Sequence, residues 1–393
     1  MKVQGANSST EPDDTESLAS DLVSIDDYSF ALPKKREFLP WHKPRKQYVR
    51  SEQWRHYIGE LADEIAAAGG TLTYFGLPGD DLLDIRFFGS AVCEPRSLRL
   101  RFLGFNNSAD AQSDDQTDLN ISLDEVSKSA SYDPQSEIVP HDIREVVDDH
   151  SIAWRKTFEI GPYDVINLDL CDGFGAQPPG KFDHTYYNMV SKLLSVQARR
   201  KTPWLLLLTT RVGKAHVHFE TLDRLSELYK TNLADCIRFR EFSSKKYNIS
   251  DASSLQKAKR QDKGIQPVFL VGLCKWLLRL SSSQNPPSIM DVKNVLGYRV
   301  KGGVEIEDMV SIAIRFNPTH GPTKDPSNLA GIQPTQIDEC ALATNALKRV
   351  GNLLDVDAYL GSQHEIRNEM VNAMCQLLDA ARYDIAEYRK LFA

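Results

Sequence analysis

Two carboxylates and a thiol stand where a strand-like run stops. In "YDVINLDLCDG" (163–173) the Val, Ile and Leu residues give way to Asp169, Cys171 and Asp172, then to Gly173 and Gly175. In an open α/β sheet, ligands bind beyond the carboxyl ends of the strands, so Asp169 and Asp172 are the candidate catalytic pair. A strand end that simply meets solvent would look the same. A second strand end, Gly76-Leu77-Pro78-Gly79-Asp80-Asp81, sets glycines just ahead of a helix. Glycine lets a ligand approach the backbone closely, and the helix start favours polar ligand groups. Gly76, Gly79 and Asp80 are therefore candidate ligand-binding residues. Asn106, at a third strand end, can hydrogen-bond a ribose hydroxyl or serve as a turn residue. Cys171 has no identifiable base nearby and reads as a small buried thiol.

A basic stretch with interleaved aromatics, "PKKREFLPWHKPRKQYVRSEQWR" (33–55), forms a different kind of candidate. Lys43, Arg45, Lys46 and Arg50 can neutralise phosphates, while Trp41 and Tyr48 can stack on unpaired bases. The competing reading is a basic linker packed on an acidic body, with Trp41 and Trp54 as core anchors. His216 and His218 are two residues apart and would lie on different faces of a helix. They read as capping or surface residues, and no metal site is expected.

Composition bounds the function classes. The chain has 393 residues, a net charge of −7, 41 % hydrophobic and 26 % charged residues, which suits a soluble globular protein. Six scattered cysteines without a CxxC pair suggest reduced thiols and a cytoplasmic location. No signal peptide is expected, because the first 25 residues lack an apolar core. The apolar runs "PWLLLL" and "VFLVGLCKWLLRL" are too short to cross a bilayer. There is no GxxxxGK[ST] loop, and no Ser-His-Asp set can be assembled.

The elements that must position these residues alternate. Strands are expected over 71–77, 98–105, 163–170 and 203–210, with amphipathic helices between them. One of these helices would begin with Ser51 as N-cap and end at Gly69-Gly70. The run "TPWLLLLTTRV" is apolar on both faces, as a central parallel strand should be. "VKNVLGYRVKGG" and "DMVSIAIRFNP" read as a late antiparallel pair at a sheet edge. The expected fold is α/β: a doubly wound, mostly parallel sheet with a late antiparallel strand pair, plus a helical C-terminal extension. Its expected parts are a disordered acidic tail over 1–30, a Rossmann-like domain over 31–330 with insertions at 107–140 and 230–290, and the extension over 331–393.

This order of elements resembles the class I S-adenosylmethionine-dependent methyltransferases over roughly residues 50 to 316: strand, glycine turn, helix, strand, "xDVIxLD", "WLLLLTT", late antiparallel pair. The resemblance implies S-adenosylmethionine as cofactor, held by Gly76 and Gly79 in the loop after the first strand. Asn106 stands where the family has a ribose-binding acid. The catalytic motif would be Leu168 to Gly173. "LDLCDG" lacks both the Pro-Pro-aromatic signature of amino-directed enzymes and the Pro-Cys pair of cytosine-C5 enzymes. The leading expectation is an S-adenosylmethionine-binding, methyltransferase-like protein acting on or near a nucleic acid. The alternative is a catalytically inactive interaction protein that uses the fold to scaffold a partner protein.

Overall fold

The computed structural model describes residues 34–107, 114–180, 182–300, 307–319, 327, 329 and 337–392. The acidic tail over 1–30, residues 108–113 of the first insertion and the first residues of the C-terminal extension lie outside the described residues. The chain is α/β, and its described residues form eight strands in one sheet of order β3-β2-β1-β4-β5-β7-β6-β8. Those strands are β1 (Leu72–Gly76), β2 (Leu100–Phe105), β3 (Glu137–Val139), β4 (Val165–Asp169), β5 (Trp204–Arg211), β6 (Ser288–Tyr298), β7 (Met309–Pro318) and the two-residue β8 (Leu354–Asp355). The first five run parallel. β7 lies antiparallel between β5 and β6. The late pair is thus one strand in from the edge, because the C-terminal segment adds β8 beyond β6.

The helices follow in chain order. The N-terminal ones are α1 (Pro44–Tyr48), α2 (Arg55–Ala67), α3 (Leu83–Phe88) and α4 (Asp114–Ser127). Next come α5 (Ile152–Ile160), α6 (Tyr186–Gln197), α7 (Phe219–Asp235), α8 (Ile237–Tyr247), α9 (Ala252–Lys259) and α10 (Asp262–Ser282). The last four are α11 (Glu339–Gly351), α12 (Val356–Ser362), α13 (His364–Ala380) and α14 (Ile385–Lys390). Ser51 is not an N-cap. Helical backbone already begins at Pro44 and passes through a wider π-type turn at Val49–Trp54, leaving Ser51 buried inside it. Pro44 tolerates the first helical position because its missing N–H would be unpaired there anyway.

Two apolar layers sandwich the sheet, because successive strand residues point to opposite faces. Ile166, Leu168, Leu206 and Leu208 meet Met189, Leu193, Tyr229 and Val268 from α6, α7 and α10. Val165, Leu205 and Leu207 meet Trp54, Ile58, Phe88 and Met370 on the other side. Trp204 and Phe316 stack across β5 and β7 with ring centroids 4.2 Å apart. The C-terminal helices carry a third cluster, with Met374, Leu378, Tyr383 and Tyr388 packed against Leu83. They also hold the N-terminal segment: the Lys35 N–H donates to the Arg382 carbonyl at 3.0 Å, and the Asp384 N–H donates to the Lys35 carbonyl at 2.9 Å. A disulfide joins Cys236, the N-cap of α8, to Cys340 in α11, so the expectation of six reduced thiols is corrected. Scattered spacing could not reveal this pair, which is 104 residues apart. Cys93, Cys171, Cys274 and Cys375 are free thiols.

Candidate functional site

The strand order reverses between β1 and β4: the chain steps outward through β2 and β3, then returns to lay β4 beside β1. At such a point the connections leave in opposite directions and open a crevice at the carboxyl ends. A cavity of about 730 Å³ occupies it. Four strand ends contribute: Leu77 to Asp84 after β1, Phe105 to Asn107 after β2, His141 to Ile143 after β3, and Asp169 to Cys171 after β4. Lys35, Leu39 and Trp41 from the N-terminal segment and Tyr383 from the C-terminal one close a further side.

Gly79, Asp80, Asn106 and Asp169, expected to share a site, all line this cavity. A Cβ built on Gly79 would meet nothing within 4 Å, so the backbone there is open to a ligand. The Asn106 side-chain amide donates to Asp80 Oδ1 at 2.8 Å and to the Pro78 carbonyl at 3.2 Å, tying the β2 end to the β1 turn. Gly76 is not a wall residue. It is buried in β1, where a Cβ would come within 2.7 Å of the Tyr74 ring, so its bareness serves packing. Asp172 also falls outside the wall. It is exposed, accepts from the Gly173 N–H at 2.7 Å, and stands 3.6 Å from His216. Cys171 is not buried. It is exposed at the cavity mouth, where partial desolvation, reinforced by the neighbouring Asp169 charge, pushes its thiol pKa up and away from a nucleophilic thiolate.

The basic segment turns inward. Lys46 is 3 % exposed, and its Nζ donates to Asp169 Oδ1 at 2.5 Å while lying 4.3 Å above the Trp54 ring. Arg50 is 2 % exposed and donates to Asp84 Oδ1 at 2.6 Å and to the Trp41 carbonyl at 3.0 Å. Arg45 donates to Asp357 of α12 at 3.0 Å, and Lys43 lies over the Phe392 ring. Lys46 and Arg50 therefore cannot track a phosphate backbone: their charges are spent inside the fold. Of the two core anchors expected in the linker-on-acidic-body reading, Trp54 is fully buried, whereas Trp41 is 38 % exposed at the cavity rim and anchors no core.

Several wall residues escaped the sequence reading. Asp81 accepts from Lys35 Nζ at 2.6 Å and from the Tyr383 hydroxyl at 2.7 Å. His42 sits 4.0 Å behind it, and burial lowers the imidazole pKa to about 4 despite the opposing pull of Asp81. Asp142, beyond β3, forms a bidentate pair with Arg144, and these hydrogen bonds hold its carboxyl below the usual range. Tyr186 stands opposite, its hydroxyl pKa raised by burial. The three-residue β3 gave no sequence signal that would have drawn attention to residues 141–143.

The wall is acidic overall. Glu37, Asp80, Asp81, Asp84, Asp118, Asp142 and Asp169 face it against Lys35, Arg36 and Arg50. His216 and His218 do not lie on a helix together: both precede α7, and His218 caps it by accepting from the Glu220 N–H. No helix among the described residues is long and apolar enough to cross a membrane. A comparison with curated proteins gave no match. A family model described as PP_RS20740-like matches residues 35–393, nearly the whole described chain, and the protein belongs to that family.

Proposed function

We propose that the cavity at the β1–β4 switch point binds S-adenosylmethionine and that the protein is methyltransferase-like. The observation that carries this is the strand order, with one antiparallel strand between β5 and β6, together with the cavity that four strand ends build around Gly79. The volume suits a nucleoside-sized ligand. Most of the wall carboxylates are paired with cations of the fold, Asp81 with Lys35, Asp84 with Arg50 and Asp169 with Lys46, so the reading rests on the strand order and the cavity and not on the wall's charge. Gly79 would admit the ligand against the backbone, and Asp80 and Asn106 would meet its polar groups. When bound, the cofactor supplies an electrophilic methyl group. Asp169 stands on the wall with its carboxylate fixed by Lys46.

A second reading has its own observation. Asp169 already forms a 2.5 Å pair with a buried lysine, so its lone pairs are partly committed before any substrate arrives. That favours a catalytically silent interaction protein that keeps the cofactor cavity and scaffolds a partner protein.

Thermal shift with S-adenosylmethionine and its demethylated product tests the cavity. Ligand at 100 times its Kd adds about 2.7 kcal/mol, or about 3 °C for a chain of this size. Gly79→Leu should fold normally, since a Cβ there meets nothing within 4 Å, and should lose the shift. No shift with either compound in the unsubstituted protein removes the cofactor reading. A shift without methyl transfer to any nucleic-acid or protein acceptor selects the silent form.

A further inference from the structure

We propose that a second cavity, of about 550 Å³ and formed around the loop after β5, is a binding site for a phosphate-bearing ligand of the nucleotide type. Its wall contains Lys214, His216, His218, Lys259 and Arg260 and, among the described residues, no acidic side chain. This is the opposite of the first cavity. Two of these side chains already face a carboxylate: Asp223 holds Lys259 at 2.5 Å, and Asp172 stands 3.6 Å from His216. Among the described residues no carboxylate pairs with Lys214 or Arg260, and both side chains are exposed. Two uncompensated cations at one cavity mouth give a local positive potential in a chain whose net charge is −7, and such a potential selects an anion.

The apolar part of the wall says which anion. Phe219 is 66 % exposed at the cavity, an unusual position for a phenylalanine, with its ring tilted against His218 at 4.6 Å. Val217, Leu222 and Ile265 form the floor. An exposed aromatic beside lysine and arginine matches a ligand with a planar face and a phosphate: the ring stacks, the cations meet the charge. Inorganic phosphate would use only half of this wall.

The two cavities share a loop. Cys171 lines the first and Ala176 the second. The loop is pinned to the second cavity by the His218 N–H, which donates to the Gly175 carbonyl at 2.8 Å, and by Gly173, whose missing Cβ leaves room for the His216 carbonyl. A ligand in the second cavity therefore lies next to the end of β4. The inference stands on this cavity's own charge and shape and does not require the first to take S-adenosylmethionine.

The test uses the full chain and a fluorescein-labelled single-stranded oligothymidylate of about twelve nucleotides, followed by anisotropy between about 50 and 200 mM salt. Binding is expected. Changing Lys214→Ala and Arg260→Ala together should weaken it about tenfold and flatten the log–log salt slope by about 1.4, about 0.7 for each lost phosphate contact. Phe219→Ala should weaken binding without changing the slope. Lys348→Ala, on α11 and away from the cavity, should do neither. Competition by thymidine monophosphate shows that one nucleotide suffices; competition by unlabelled oligothymidylate alone shows that a strand is required. Inorganic phosphate should compete poorly. No binding of either probe, or a double variant that melts and binds as the parent does, overturns the proposal. The S-adenosylmethionine shift measured on the same double variant should be unchanged, which keeps failure of one site distinct from failure of the other.

Discussion

Lys46 and Asp169 are partners of unequal burial, and removing each should cost a different amount. The Lys46 side chain is 4 % exposed and that of Asp169 is 21 % exposed. Taking away the carboxylate by Asp169→Asn leaves a lysine ammonium nine-tenths buried, with only the Trp54 ring and an amide to compensate it. Breaking a buried pair in this way costs about 3–5 kcal/mol. Taking away the ammonium by Lys46→Met keeps most of the side-chain volume and leaves a carboxylate that already reaches the cavity and its water. The loss is then nearer the roughly 1.5–3 kcal/mol of a charge-assisted hydrogen bond. A chain of 393 residues unfolds with about 0.8 kcal/mol/K of entropy, so the expected falls in Tm are about 4–6 °C for Asp169→Asn and about 2–4 °C for Lys46→Met. The double variant should be milder than the sum, with a coupling of about 1–3 kcal/mol. Differential scanning fluorimetry of the four proteins measures this cycle. Equal falls, or a larger fall for Lys46→Met, would show that the pair is not the buried, asymmetric contact described here. It would then no longer count against Asp169 as a free catalytic carboxylate.

Further expectations concern acid, thiols and one glycine. His42 is fully buried, and its pKa falls from 6.5 to about 4 on folding. The unfolded chain therefore binds the extra proton: the stability this histidine contributes is intact above about 6.5 and is lost as pH falls toward 4, by about 3 kcal/mol. His42→Asn should remove that portion of the acid sensitivity, and urea titrations at pH 7 and pH 4.5 check it. Thiol titration of the unreduced, denatured chain should find four reactive groups, because Cys236 and Cys340 are joined. Six would refute the disulfide, and if it is present Cys340→Ser should lower stability by about 2–4 kcal/mol. Gly173→Ala drives a methyl into the His216 backbone carbonyl, which cannot swing aside. It should cost about 1–3 kcal/mol and loosen the loop between the cavities, read as faster proteolysis near residue 173.

The parallel sheet was legible because each of its main strands announces itself locally. "TPWLLLLTTRV" is apolar on both faces, and "YDVINLDL" ends where its buried residues end; in the structure these are β5 and β4. Short elements carried no such signal. β3 has three residues and β8 two, and both exist only because a neighbouring strand offers a ladder to join. The start of α1 was missed for another reason: Ser51 has the chemistry of a cap, but packing of Tyr48, Val49 and Trp54 on the sheet extends the helical backbone past it. Within the first cavity the strand-end residues could be found from pattern alone. Asp142, His141, Tyr186 and Tyr383 could not, since what recruits them is the sheet order and the docking of the chain ends.

The basic segment shows why composition could not assign its partner. Eight cations in 23 residues look like an electrostatic footprint when read along the chain. Their counter-charges lie far away in sequence: Asp84 for Arg50, Asp169 for Lys46, Asp357 for Arg45. Each lies on an element that reaches the carboxyl edge of the sheet or covers it, so a wall crowded with carboxylates acquires an inward-facing set of cations. Charge that is matched in the fold no longer projects a field into solvent, whereas Lys214 and Arg260 line the second cavity with exposed side chains, and among the described residues no carboxylate pairs with either. What decides whether a lysine can bind a phosphate is therefore the burial and pairing of its ammonium group, not the density of lysines around it. By that criterion Lys46 and Arg50, buried and paired, belong to the architecture of the acidic cavity, and Lys214 and Arg260 at the β5 loop are the cations proposed to meet an anion.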